Sequence, residues 1–203
     1  MKARAGFTLI EVTAVIVIIS ILLVFLVPRL MGASDLIKAK AVRSFLTSVE
    51  AVLSEYNLDE GDFPESSFPV EVDATKENMG VEMLVIRLFG KERPVPNISE
   101  DRLDNLDGDK LKESLTVFDA PDAFEIVDEW RNPIAYIHHR DYEKTFQYSC
   151  LPEGSADVET MPVKALVNPR TQTFYRAKDY QLISAGPDGA FGTEDDVTNF
   201  DRD

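Results

Sequence analysis

The chain opens on an unbroken apolar run. Residues 7–27 are 21 positions with one ionisable side chain, Glu11; Thr8, Thr13 and Ser20 are the other polar residues. As a helix rising about 1.5 Å per residue this run reaches roughly 31 Å, the thickness of a bilayer's hydrocarbon core. After Pro28 the pattern becomes a stripe. Apolar residues fall at Leu30, Ile37, Ala41, Phe45, Val49, Leu53 and Tyr56, in steps that keep to one helix face. Together the two segments predict one helix of about 50 residues, roughly 75 Å long, whose second half buries one face against a domain. Gly32-Ala33-Ser34 is its weak point, a place for bending or local melting.

Beyond the helix, residues 57–64 read as a loop and 65–78 as polar and irregular. Residues 81–89 form a short helix closed by Gly90. Residues 91–122 carry Pro94, Pro96 and many acids. Strand candidates follow at 134–139, 146–150, 173–175 and 180–184, separated by turn residues. A long helix followed by a run of strands predicts an α+β fold, the helix lying on a small antiparallel β-sheet. The chain has no internal repeat.

The amino terminus adds orientation. Lys2 and Arg4 precede the apolar run, which places the amino end in the cytoplasm and the bulk of the chain outside. A secretory signal peptide would carry its apolar core before the cleavage site. Here the run follows Gly6, so a cut there leaves the membrane segment on the mature chain. A plain anchor explains length and orientation but not Glu11. A charge at that depth costs about 2.5–3.5 kcal/mol on insertion scales and calls for a functional reason.

Gly6-Phe7-Thr8-Leu9-Ile10-Glu11-Val12 resembles the prepilin signature of type IV pilins and type II secretion pseudopilins. The resemblance implies a peptidase that cuts after Gly6 and methylates the new terminal residue, Phe7. It implies that Glu11 pairs with the α-amino group of a neighbouring subunit during filament assembly. Two opposite charges buried together are tolerable where either alone is not. Pro28 stands where that family often has a helix-kinking proline. The implied organisation is a leader at 1–6, a transmembrane and assembly helix at 7–29, and an extracytoplasmic domain at 30–203, with 65–128 as an enlarged variable region. The implied partners are copies of the chain itself, minor pseudopilins, the prepilin peptidase, an inner-membrane secretion platform and the lipid bilayer.

Two further stretches resemble major pseudopilins. Residues 56–64 carry tyrosine, glycine and proline at similar spacing. Asp128-Glu129-Trp130-Arg131-Asn132-Pro133 matches a tryptophan–glycine–asparagine–proline turn before a strand, with Arg131 in place of the glycine. Arginine resists positive φ, so this turn is expected to differ.

Composition narrows the function. The net charge of −15 excludes a nucleic-acid binder, which needs a basic face. Cys150 is the sole cysteine, so no intrachain disulfide forms, and a packed small side chain is expected there. His138 and His139 are adjacent and on a strand would face opposite ways. No nucleophile–base pair, phosphate loop or metal triad marks an enzyme.

Chemistry reappears near the carboxy terminus, in region 179–203. Ser184-Ala185-Gly186-Pro187-Asp188-Gly189 leads into Ala190-Phe191-Gly192-Thr193-Glu194-Asp195-Asp196, with three glycines and four crowded carboxylates. Such charges repel unless a cation sits among them, and oxygen donors without histidine or cysteine favour calcium over zinc. The stretch resembles the calcium-binding loop of type II secretion major pseudopilins. Matched along that motif, Asp188, Asp195 and Asp196 are the implied side-chain ligands, with backbone carbonyls between 185 and 193 completing the shell and Glu194 a weaker candidate. A second acidic cluster, Asp104-Asn105-Leu106-Asp107-Gly108-Asp109, invites an EF-hand reading and fails it. With Gly108 at loop position six, Leu103 and Ser114 fall where carboxylates are required. A turn is expected instead.

These resemblances imply a structural subunit of a type II secretion pseudopilus. The rival is a pilin-like subunit displaying an adhesive or sensory domain from its enlarged middle.

Overall fold

The computed structural model describes residues 8–69 and 75–202, and the side chains of all of these except 25–33. Helix α1 spans Leu9–Glu60 and α2 spans Met79–Leu88. Seven short strands follow: β1 (Leu103–Asp104), β2 (Glu125–Ile126), β3 (Ala135–His138), β4 (Phe146–Cys150), β5 (Glu159–Val163), β6 (Tyr180–Ser184) and β7 (Val197–Thr198). The α+β class holds. The single sheet expected from sequence is replaced by three small antiparallel ones, ordered β1-β2, β3-β6-β7 and β4-β5. The chain divides into two compact units, Met1–Lys38 and Ala39–Asp203.

In the first unit α1 starts one residue after Thr8 and stays helical through 32–34, so the expected weak point has no melted turn. Every residue from 8 to 24 is exposed, a continuous apolar surface. Among the described residues no helix is long and apolar enough to cross a membrane. The run of 7–27 extends past the described side chains at both ends, and Gly6 and Phe7 lie outside the described residues.

In the second unit the buried line of α1 is Val42, Leu46, Val49 and Leu53, flanked by Ala39, Phe45, Val52 and Tyr56. Steps of four, three and four hold this line on one face. The stripe read from sequence is out of phase at its start, since Ile37 is 70% exposed. α1 also runs one turn past Tyr56. Arg93 pairs with both Asp59 and Glu60, and Gly61 takes φ 80° at the end of the helix.

The α1 line joins one core with Val81, Leu84, Val85 and Leu88 of α2 and with β3, β4 and β6. Each fully buried Leu or Val contributes roughly 1.5–3 kcal/mol. α2 can lie this close to β3 because of Gly80, where a Cβ would fall 2.3 Å from the Tyr136 carbonyl oxygen and 2.6 Å from the Tyr148 hydroxyl. α2 ends on Phe89, whose N–H donates to Val85 O, and Gly90 forms a β-bridge with Thr116 instead of a left-handed cap.

Three local expectations change. Arg131 keeps positive φ, at 69°, against an intrinsic cost of about 1–2 kcal/mol. Asp128 Oδ1 accepts the N–H groups of Trp130 and Asn132, and the Arg131 guanidinium donates to Asp101 O and pairs with Asp104, so the turn is held from both sides. The chain leaves β3 at His138 into a 3-10 turn, which brings the two histidine rings to 4.3 Å between centroids instead of opposite faces. Residues 173–175 form no strand and contribute only a bridge from Phe174 to Val167. Cys150 is buried as expected, and burial pushes its thiol pKa up.

Gly80→Ala should force α2 off β3 and destabilise the fold by about 3 kcal/mol. Thermal melting should show this as a Tm roughly 10 °C lower.

Candidate functional site: an amino-terminal carboxylate and a carboxy-terminal acidic loop

Glu11 sits in the first turn of α1. Its Oε2 accepts from the Thr8 backbone N–H at 2.8 Å and from the Thr8 hydroxyl at 2.7 Å, while the Glu11 N–H donates to Thr8 Oγ1 at 3.4 Å. Thr8 at the N-cap and Glu11 three residues later make a capping box. The arrangement holds the carboxylate back toward the start of the helix, beside the peptide that joins Phe7 to Thr8. It also puts negative charge at the positive end of the helix dipole. Only Oε2 takes part in these bonds.

The carboxy-terminal loop leaves β6 at Ser184 and returns into β7. Gly186 takes φ 68°, and a Cβ there would lie 2.5 Å from Asp195 O, so the loop can close only over a glycine. That closure sets Asp195 beside the Asp188 amide, which donates to Asp195 Oδ2 at 3.3 Å. Asp188 Oδ1 accepts from Ala190 N at 2.8 Å, and Asp195 also accepts from the Thr193 hydroxyl. Asp196 Oδ2 accepts from Gly192 N at 2.9 Å. Its Oδ1 is buried with no hydrogen-bond partner, and burial pushes the carboxyl pKa up to about 7.

The loop has a positive group that sequence reading did not find. Arg202 donates to the carbonyls of Thr193 (2.7 Å), Glu194 (2.9 Å) and Asp196 (2.7 Å) and lies 3.4 Å from Asp196 Oδ2. No sequence signal marked it, because Arg202 stands outside the acidic motif. The carboxylates of Asp188, Asp195 and Asp196 are not drawn as tightly together as another trio. Among the described residues, the three that bring oxygens within 4.8 Å of one another are Glu82, Asp107 and Glu125.

Residues 1–27 match the prokaryotic N-terminal methylation motif. Over 197 residues the chain is 30% identical to the type II secretion system core protein G of Escherichia coli (strain K12), covering 97% of this chain and 91% of that protein. The chain belongs to the type II secretion system core protein G family. It is 27% identical over 136 residues to the core protein G of Pseudomonas aeruginosa, covering 67% of this chain and 75% of that protein. It is 35% identical over 95 residues to that of Klebsiella michiganensis, covering 47% and 67%. No solved structure matches. A core protein G chain is a substrate of prepilin processing and a structural subunit, not an enzyme.

In this core protein G chain Arg202 acts as a built-in clamp. Arg202→Ala removes the donor from three loop carbonyls and the positive group beside Asp196 Oδ2, which keeps only the Gly192 N–H. It should destabilise the fold by about 1–3 kcal/mol, measured as a lower denaturation midpoint with unchanged m-value.

Proposed function

We propose that this chain is a type II secretion pseudopilin that polymerises through α1 and carries a calcium ion in its carboxy-terminal loop. The observation that carries the reading is the full-length similarity to core protein G together with a methylation motif that ends in an apolar helix. The prepilin peptidase cuts after Gly6 and methylates Phe7. Residues 7–29 cross the inner membrane once, amino end inward, and residues 30–203 lie on the extracytoplasmic side. The exposed apolar surface of residues 8–24 supports this reading, since such a surface needs lipid or neighbouring subunits around it. Copies of the chain, minor pseudopilins and the inner-membrane platform are its partners. The rival display role rests on residues 65–128 alone and is not favoured by the relatives.

Cleavage creates an amine one residue before Thr8. Glu11, already turned toward that end of the helix, offers Oε1 to the Phe7 amine of the next subunit. Glu11→Leu should leave the chain membrane-inserted and unable to form filaments, scored by membrane fractionation and electron microscopy. Normal filaments from that variant would overturn the register role.

In the loop, Asp188, Asp195 and Asp196 would hold calcium, which would supply the positive charge that Asp196 Oδ1 lacks. The orphaned Oδ1 and the all-oxygen donor set support the fit. Asp195→Ala in the detergent-solubilised full chain should bind one calcium ion fewer than the parent in equilibrium dialysis. Equal binding by the two removes the loop site.

A further inference from the structure

The densest negative cluster of the folded domain lies away from both sites above. Glu82 is in the first turn of α2, Glu125 in β2, and Asp107 in the bend after β1. Asn78, which precedes α2, ties the last two together. It is fully buried at φ 52°, and its Nδ2 donates to Glu125 Oε1 at 2.8 Å and to Asp107 Oδ2 at 3.1 Å. Its Oδ1 accepts from Ser149 N at 2.9 Å, so every polar atom of that side chain is spent on holding the cluster in place. Leu106 N donates to Glu125 Oε2, and Asp109 N to Asp107 Oδ1.

Glu82 differs from its neighbours. It is 0% exposed, one of its oxygens lies within 4.8 Å of an oxygen of each of the other two carboxylates, and neither of its oxygens has a hydrogen-bond partner. Two more oxygens in the same bend, Asn105 Oδ1 and Asp109 Oδ1, are also buried without a partner. None of the four carboxylates forms an ion pair with a lysine or arginine among the described residues. Glu82 thus lies among acceptor oxygens, and the fold supplies no donor to either of its own. A cation seated among these oxygens would give Glu82 the partner that the fold does not supply.

We propose that Glu82, Asp107 and Glu125 form a second divalent-cation site of calcium type, with Asn105 and Asp109 supplying further oxygens. Calcium holds oxygens at about 2.3–2.6 Å, so oxygens on opposite sides of it stand roughly 4.6–5.2 Å apart, in keeping with the spread here. The donors are all oxygen, which sets zinc and copper aside. The ion ties the first turn of α2 to β2 and to the bend at 105–109, three elements of residues 65–128 that share no local motif.

The test counts calcium bound to the detergent-solubilised full chain by equilibrium dialysis, in an Asp195→Ala background where the carboxy-terminal loop contributes nothing. One ion per chain is expected, lost in Glu82→Gln and in Asp107→Asn, with magnesium at equal concentration displacing little of it. Failure of the loop site leaves this count unchanged, so the two assignments fail separately. In EDTA the Glu82→Gln chain should melt no lower than the Asp195→Ala parent, because an uncompensated carboxyl has been replaced by a neutral isostere. Should Glu82→Gln not fold, Asp107→Asn, at a half-buried loop position, decides alone. Retention of the bound ion by Asp107→Asn, or no bound ion in the Asp195→Ala parent, overturns the proposal.

Discussion

Asp128 shows the terms on which this fold takes a carboxylate out of water. Its Oδ1 accepts the N–H groups of Trp130 and Asn132, and its Oδ2 accepts the Ser184 hydroxyl at 2.6 Å. Three donors offset a desolvation cost of several kcal/mol. The same bonds close the turn before β3 and tie it to the end of β6, where the acidic loop begins. Asp141 follows the same rule with Ser66, Ser67 and Lys144. Against these satisfied groups, Glu82 and Asp196 Oδ1 stand out as buried oxygens without a donor.

The amino-terminal motif was legible because its chemistry is local. The prepilin-like signature is one contiguous stretch, Gly6 to Val12, and an apolar run needs only its own composition, whereas the capping box of Thr8 and Glu11 emerged only from the structure. The α+β class was legible for a similar reason, as were α2 and strands β4 and β6, which are continuous runs of suitable residues. The phase of the α1 stripe was not. Its buried line of Val42, Leu46, Val49 and Leu53 is chosen by what α2 and the strands present to it, and an alanine or isoleucine elsewhere on the helix fits the periodicity equally well. β5 was missed because Pro162 and a mostly exposed face disguise a strand that pairs only with β4. β1, β2 and β7 are two residues each, too short to leave a pattern.

Arg131 and the Asp104–Asp109 bend teach a related lesson. Propensity says that arginine avoids positive φ, and the structure overrides it with an ion pair to Asp104 and two backbone donors to Asp128. The same bend was rightly refused as an EF-hand, since that motif requires its ligands in one continuous loop. The carboxylates that complete its negative cluster come from α2 and β2, some 20 residues away on either side. Only the docking of α2 on β3, allowed by Gly80, sets Glu82 against Glu125. A motif search is blind to such a site because its spacing is tertiary.

The two acidic sites of the domain differ in how far the protein supplies its own counter-charge. At the carboxy-terminal loop, Arg202 reaches one carboxylate oxygen of Asp196 and three loop carbonyls, so the loop keeps its shape around a fixed positive group. A cation bound there would add to a framework already partly neutralised. Between α2, β1 and β2 no guanidinium or ammonium among the described residues plays that part, and the donors present, the Asn78 amide and the Leu106 and Asp109 N–H groups, serve Asp107 and Glu125 and not Glu82. Residues 82–125 thus gather three carboxylates with no described cationic side chain among them. In the proposed site a divalent cation among Glu82, Asp107 and Glu125 would join α2, β2 and the bend at 105–109, turning like-charge repulsion into attraction.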